Sequence, residues 1–182
     1  LKIAHQFGQL SSKRIASISC SGGEAALAAD TAQDTELVFP PLNPRQVKDL
    51  GAALGPMVAL TNPLDYHTYI WRNPAAMTQA WAAMADDDIA MTLLISDYPR
   101  ADLCDASDWE CVTQAAIEAT RRTGRPYAVV ASLAELLPEH IAKTLMDHGV
   151  GAIHGLDHGL DALDLLSHPM APPADPVLLP GS

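Results

Sequence analysis

The chain has 182 residues, of which 48% are hydrophobic and only 5% aromatic. That is enough for one ordinary domain with a real core, and it excludes disorder over most of the length. A formal net charge of −11 would repel a phosphate backbone or an anionic membrane, so neither nucleic acid nor membrane is an expected partner. Cys20, Cys104 and Cys111 form no metal-ligand spacing and no disulfide framework, which fits a reducing, cytoplasmic setting. No apolar run reaches the ~18–20 residues of a membrane span, and the opening Leu1 reads as the start of a piece of a longer polypeptide.

Residues 1–12 read as a polar lead-in, weakly helical at best. A β-prone run over 14–20 then meets Ser21-Gly22-Gly23, and the Ala- and Leu-rich stretch 24–33 follows as a helix. Glu36–Phe39 (ELVF) predicts a second strand, closed by Pro40 and Pro41. Asn43-Pro44 starts a helix that runs to Leu54, with Asn as cap and Pro in the first turn. Met57–Leu60 is a short extended piece leading into Asn62-Pro63-Leu64-Asp65, and Asn73-Pro74 opens another helix, to Ala85.

Ile89–Ile95 (IAMTLLI) is the most hydrophobic stretch and belongs at the centre of a sheet. A helix over 107–123, a strand over 127–132, a helix over 138–148 ending at Gly149, a strand over 150–154 and a helix over 160–167 complete the series. From 169 to 182 the chain is rich in Pro and small residues, a tail or linker. Strand and helix alternate about five times, which predicts an α/β, doubly wound, five-stranded parallel sheet of the flavodoxin-like kind over 13–168.

In such sheets a ligand binds beyond the carboxyl ends of the strands, where the strand order reverses. Two loops should meet there, Cys20–Glu24 and Ser96–Arg100, with Asn62–Asp65 joining them. In the first loop two glycines permit close backbone approach, and the helix that follows offers free N–H groups. Ser21, Gly22, Gly23, Glu24 and Ala25 are therefore the candidate phosphate-binding residues, supported by Asn62, Asp65 and Asp97. Glu24 also has a purely local role: an acid in the first turn stabilises its helix by about 0.3–1 kcal/mol. The same charge repels a docked phosphate unless a proton, a metal or an Arg intervenes, so Glu24 is the one possible catalytic group.

Other side chains have plainer explanations. The seven histidines are scattered, with no i, i+4 metal pair on a helix, and no metal site is expected. Tyr66, Tyr69 and Trp71 suit a packed cover over the loop before them. Asp86–Asp88 suits a solvated turn, and Arg121-Arg122 the exposed end of a helix.

The stretch Ser21-Gly22-Gly23-Glu24-Ala25-Ala26-Leu27-Ala28-Ala29-Asp30, followed by Asn62-Pro63-Leu64-Asp65, resembles the third flavodoxin-like α/β domain of acyl-CoA synthetases of the nucleoside-diphosphate-forming type. These are relatives of the acetate and succinate enzymes. The resemblance covers roughly residues 10–168. It implies a domain that clasps a phosphohistidine loop with the helix after Ser21-Gly22-Gly23, while the phosphoryl group passes between acyl phosphate and nucleotide. It further implies CoA, ATP or ADP, and Mg in the full enzyme, none of them bound by this domain alone. The CoA-binding, phosphohistidine and ATP-grasp domains would be partners on the same or another chain, and a homodimer is possible. Many relatives have a further glycine where Glu24 and Ala25 stand, which questions phosphate contact at Glu24. Two other readings remain open: a non-catalytic binding or assembly module, and a serine hydrolase with Ser21 as nucleophile and His154 or His158 as base. Against the last, the Gly-x-Ser-x-Gly elbow has Ser19 in its first position.

Overall fold

A computed structural model of the protein describes residues 2–169. It contains helix α1 (Lys2–Phe7), β1 (Ile15–Ser19), α2 (Gly22–Ala32), α3 (Pro44–Leu54), β2 (Leu64–Asp65), α4 (Pro74–Met84), β3 (Met91–Ile95), α5 (Glu110–Thr123), β4 (Tyr127–Ala131), α6 (Glu139–Asp147), β5 (Gly151–His154) and α7 (Leu156–Ser167). The five strands are all parallel, in the order β2-β1-β3-β4-β5, with β3 in the centre. The doubly wound α/β architecture expected from the alternation is the one observed. The tail expected over 169–182 lies outside the described residues apart from Pro169.

Because side chains alternate across a strand, each strand feeds two cores. Ala16, Ile18, Leu94, Tyr127, Val129 and Ala152 face one layer, in which α3, α4, α5 and α6 also bury their apolar residues. Ile15, Met91, Leu93, Ala128, Val130 and Ile153 face the other, with α1, α2 and α7. The helices that start at Asn-Pro do so for a visible reason. Asn43 accepts from Gln46 N at 2.9 Å while Gln46 returns a bond to Asn43 N, and Asn73 accepts from Ala76 N at 3.1 Å. Small residues on α4 and α5 (Ala80, Ala83, Ala115, Ala116, Ala119) are buried where these two helices pack closely.

Two expectations need correction. Glu36–Phe39 is not a strand: only Val38 pairs, through a single bridge to Arg14. The second strand of the sheet is the two-residue β2, which pairs Leu64 with Ile18 and Asp65 with Ser19. Between Val38 and Leu64 the edge of β1 is completed by a side chain. Asn62 accepts from Ser17 N through Oδ1 at 3.1 Å, and its Nδ2 donates to Ile15 O at 3.0 Å and Pro40 O at 3.1 Å. A carboxamide has the donor and acceptor of a peptide group, so Asn62 supplies the missing rung and satisfies backbone groups of β1.

The lead-in, expected to be weakly helical at best, holds helix α1, whose Ile3 is buried. Gly151 in β5 makes the space for it. A Cβ there would lie 2.9 Å from Ala128 Cβ and 3.0 Å from both Ile3 Cδ1 and Phe7 Cε2.

Candidate functional site

The loops after β1 and β3 diverge at the reversal of strand order, where β1 lies between β2 and β3. They enclose a cavity of about 340 Å³. Cys20 and Glu24 come from the first loop and helix, Ser96 and Asp97 from the end of β3, and Thr68, Trp71 and Trp109 close the opposite side. The two indoles meet edge to face, centroids 5.3 Å apart. Thr68 sits in left-handed backbone, φ 55°, between His67 at 56° and Arg72 at 63°. Such backbone is costly for a β-branched residue and is held here by its surroundings.

Helix α2 begins where the sequence places it. Ser21 is its cap, in extended backbone, and its Oγ accepts from Gly23 N at 3.2 Å. Ala25 N donates to Ser21 O at 3.1 Å in the first helical bond. Of the five residues assigned to phosphate binding, two therefore already spend their N–H groups within the loop. Gly22 and Glu24 keep the first-turn N–H groups that a helix leaves unpaired. Neither glycine is in left-handed backbone. Gly22 is required by proximity, since a Cβ would stand 3.2 Å from Asp65 Oδ2, whereas Gly23 has room around it, with Ser21 Oγ nearest at 3.4 Å.

The supporting residues divide. Asn62 is a structural rung, as described above. Asp65 lies beside the mouth of α2, accepts from His67 N at 2.7 Å and faces His67 Nδ1 at 3.1 Å. Asp97 is fixed by its neighbour across the sheet, accepting from Ser132 N at 2.7 Å and from Ser132 Oγ. The structure thus brings Glu24, Asp65 and Asp97 to one place, and the result is strongly acidic. Burial of Glu24, then the charge of Asp97, push the Glu24 carboxyl up to about 7, against a smaller downward pull from Cys20. Burial, then the charge of Glu24, push the neighbouring Cys20 thiol up to about 11, so it stays protonated at neutral pH. Its Sγ lies 3.8 Å from Glu24 Oε2.

Sequence reasoning placed Tyr66, Tyr69 and Trp71 as a cover. Tyr66 is buried, Tyr69 is exposed, and Trp71 is a wall of the cavity. Trp109 and Thr68 were not singled out. Trp109 arrives from a segment far along the chain, and only the sheet order brings it to Trp71. The hydrolase reading with His154 as base fails on topology. Ser21 follows β1 and His154 ends β5, three strand spacings away, about 14 Å. The Ser21 hydroxyl is occupied as a cap, and His154 Nδ1 lies 3.2 Å from Ala134 O.

Fold and loops together define a doubly wound domain with a cavity at the switch point. Solved structures share this fold. PH0766 from Pyrococcus horikoshii OT3 superimposes with a TM-score of 0.72 at 17% identity, over 90% of this chain and 37% of its own. A dinucleotide forming acetyl-coenzyme A synthetase 1 of Ca. Korarchaeum cryptofilum, in complex with phosphate and ADP, gives 0.64 at 14%, over 87% and 33%. Its apo form gives 0.65 at 13%, over 91% and 37%. The chain spans about a third of the length of these structures. No protein-family model and no curated protein matches the sequence. The likeness establishes the fold, and it falls on the same group of enzymes that the Ser21–Asp30 and Asn62–Asp65 motifs resemble.

Proposed function

We propose that this chain is one α/β domain of a multi-domain acid–CoA ligase of the nucleoside-diphosphate-forming type. The observation that carries the reading is the coincidence of two independent likenesses: the motifs at 21–30 and 62–65, and a fold shared with an acetyl-coenzyme A synthetase over most of the chain. In this reading the mouth of α2 receives a phosphohistidine loop from another domain. The N–H groups of Gly22 and Glu24 face the phosphoryl oxygens, and the helix dipole favours their charge. Phosphoryl transfer needs positioning and charge stabilisation, which backbone donors can give.

The acids limit how that loop is held. Beside Asp65 and Asp97, the site accepts a phosphoryl group once the charge of Glu24 is removed by a proton or offset by a cation, and burial holds that carboxyl up at about 7. Among the described residues no group of three or more possible ligands is arranged to hold a metal ion. In this reading Mg, CoA and the nucleotide are held by other domains of the enzyme. No described helix is long and apolar enough to cross a membrane.

Gly23→Val tests the clasp. Gly23 has space for a side chain, so folding should survive, while bulk at the helix mouth excludes the loop. In the full-length enzyme, phosphoryl transfer should fall at least about a hundredfold, the scale of losing a transition-state donor, with thermal stability little changed. Unchanged turnover would show that the loop is only a turn. This domain alone should form no acyl-CoA from acid, ATP and CoA; acid-dependent product from it would overturn the partner-domain reading.

A further inference from the structure

The cavity at the switch point has a charge and a shape that a phosphoryl group does not use. Trp71 and Trp109 present two indoles at 76° to one another, forming an aromatic corner. Opposite them stand the carboxyls of Glu24 and Asp97, and no Lys, Arg or His is among the lining residues. Asp97 cannot swing away, because Ser132 N and Oγ hold both of its oxygens. Ser96 lies on the cavity wall with only 6% of its surface exposed. Among the described residues its hydroxyl makes no hydrogen bond and is not itself sealed from solvent, so the oxygen is free to accept one. The nearby Arg72 is engaged elsewhere, with Asp108, and the His67 ring lies against Asp65. A volume of about 340 Å³ is at the small end of ligand pockets.

We infer that this cavity is a cation site. It takes a primary ammonium or a guanidinium on a short apolar stem, and a domain docking over the switch point supplies that group as a Lys or Arg side chain. The indole faces attract the cation and pack its stem, the two carboxylates neutralise it, and the Ser96 oxygen accepts one of its hydrogens. The inference rests on the docked-domain reading above and adds what the partner must carry: a basic side chain beside the phosphoryl-bearing loop. The arrangement also resolves the repulsion at the mouth of α2. A positive charge seated behind Glu24 offsets the carboxylates that would otherwise oppose an anion at Gly22 and Glu24.

The test uses the chain as it stands. Trp71 and Trp109 line the cavity, so tryptophan fluorescence reports occupancy. n-Butylammonium and n-propylguanidinium, which reproduce the two side chains, should give a saturable change in the millimolar range, while n-butanol and butyrate give none. Glu24→Gln, with its fold checked by circular dichroism, should weaken the ammonium about fivefold, the upper end for a solvent-reached ion pair. Equal binding of butanol or butyrate would overturn the site, as would an unchanged ammonium affinity in Glu24→Gln. Binding of benzylammonium without binding of butylammonium would assign the cavity to a free aromatic amine and overturn the side-chain source. None of these readouts involves phosphoryl transfer, so they stand or fall separately from Gly23→Val.

Discussion

The two edges of the sheet are finished in opposite ways. At the β2 edge the backbone pairing breaks between Val38 and Leu64, and the Asn62 carboxamide bridges the gap through three hydrogen bonds. At the β5 edge nothing polar is spliced in; the bare Cα of Gly151 lets Ile3 and Phe7 of α1 lie against the strand. One edge is specified by directional bonds and the other by packing. The candidate site lies on the directional side, where Asp65 must stand beside Gly22 and the chain is in left-handed backbone at His67, Thr68 and Arg72. A short strand whose register is fixed by a side chain places the following loop accurately, which apolar packing alone would not do.

Removing the splice should produce the largest effect. Asn62→Ala orphans Ser17 N, Ile15 O and Pro40 O, and each buried unpaired group costs about 1–3 kcal/mol. A loss of about 3 kcal/mol in urea unfolding is expected, with the cavity fluorescence altered because Asp65 and Thr68 lose their anchor. A loss below about 1 kcal/mol would mean that water replaces the carboxamide, and the contrast between the edges would shrink. Gly151→Ala tests the other edge. Its Cβ would press on Ala128, Ile3 and Phe7 at 2.9–3.0 Å, and overpacking of this kind costs about 1–3 kcal/mol. Since α1 is only six residues long and buries only Ile3, it can lift away, so hydrogen exchange should rise in residues 2–7 while the β1–β3 loops stay protected. Equal disturbance at both edges would show that the sheet transmits the strain.

Much of this architecture could be read in advance because local and tertiary preferences agree. Asn43-Pro44 and Asn73-Pro74 start helices by capping, and the apolar run ending at Ile95 is the central strand. The β2 edge was not legible. Glu36–Phe39 has strand-forming residues but only one rung to pair with, whereas Leu64-Asp65 is too short to show a period and becomes a strand through Asn62. Helix α1 was missed because six residues are too few for a helix to declare itself without the partner surface that Gly151 opens. At the site, the loop Ser21–Ala25 and the proximity of Asp65 and Asp97 were legible from strand ends. The pairing of Trp71 with Trp109 was not, since it depends on the approach of two distant segments.

The smallest effect distinguishes the helix-end role of Glu24 from its role in the acidic cluster, and here the structure reverses the expectation from sequence. As a first-turn acid Glu24 should stabilise α2, so that Glu24→Gln costs stability. In the fold, however, burial and then the charge of Asp97 raise its carboxyl from an ordinary 4.5 to about 7. Between those two values the unfolded chain has already lost the Glu24 proton and the folded chain retains it. The unfolded state therefore binds fewer protons, and stability falls as pH rises through this window. The favourable contribution is complete below about 4.5 and is lost once pH passes about 7. Gln is neutral throughout and removes that slope. Urea unfolding of the two proteins should diverge as pH rises, the Gln variant becoming the more stable of the pair at pH 8, relative to their difference at pH 4. If the variant is instead uniformly less stable at both pH values, the helix dipole outweighs the cluster, and Glu24 is a cap that happens to lie near Asp97.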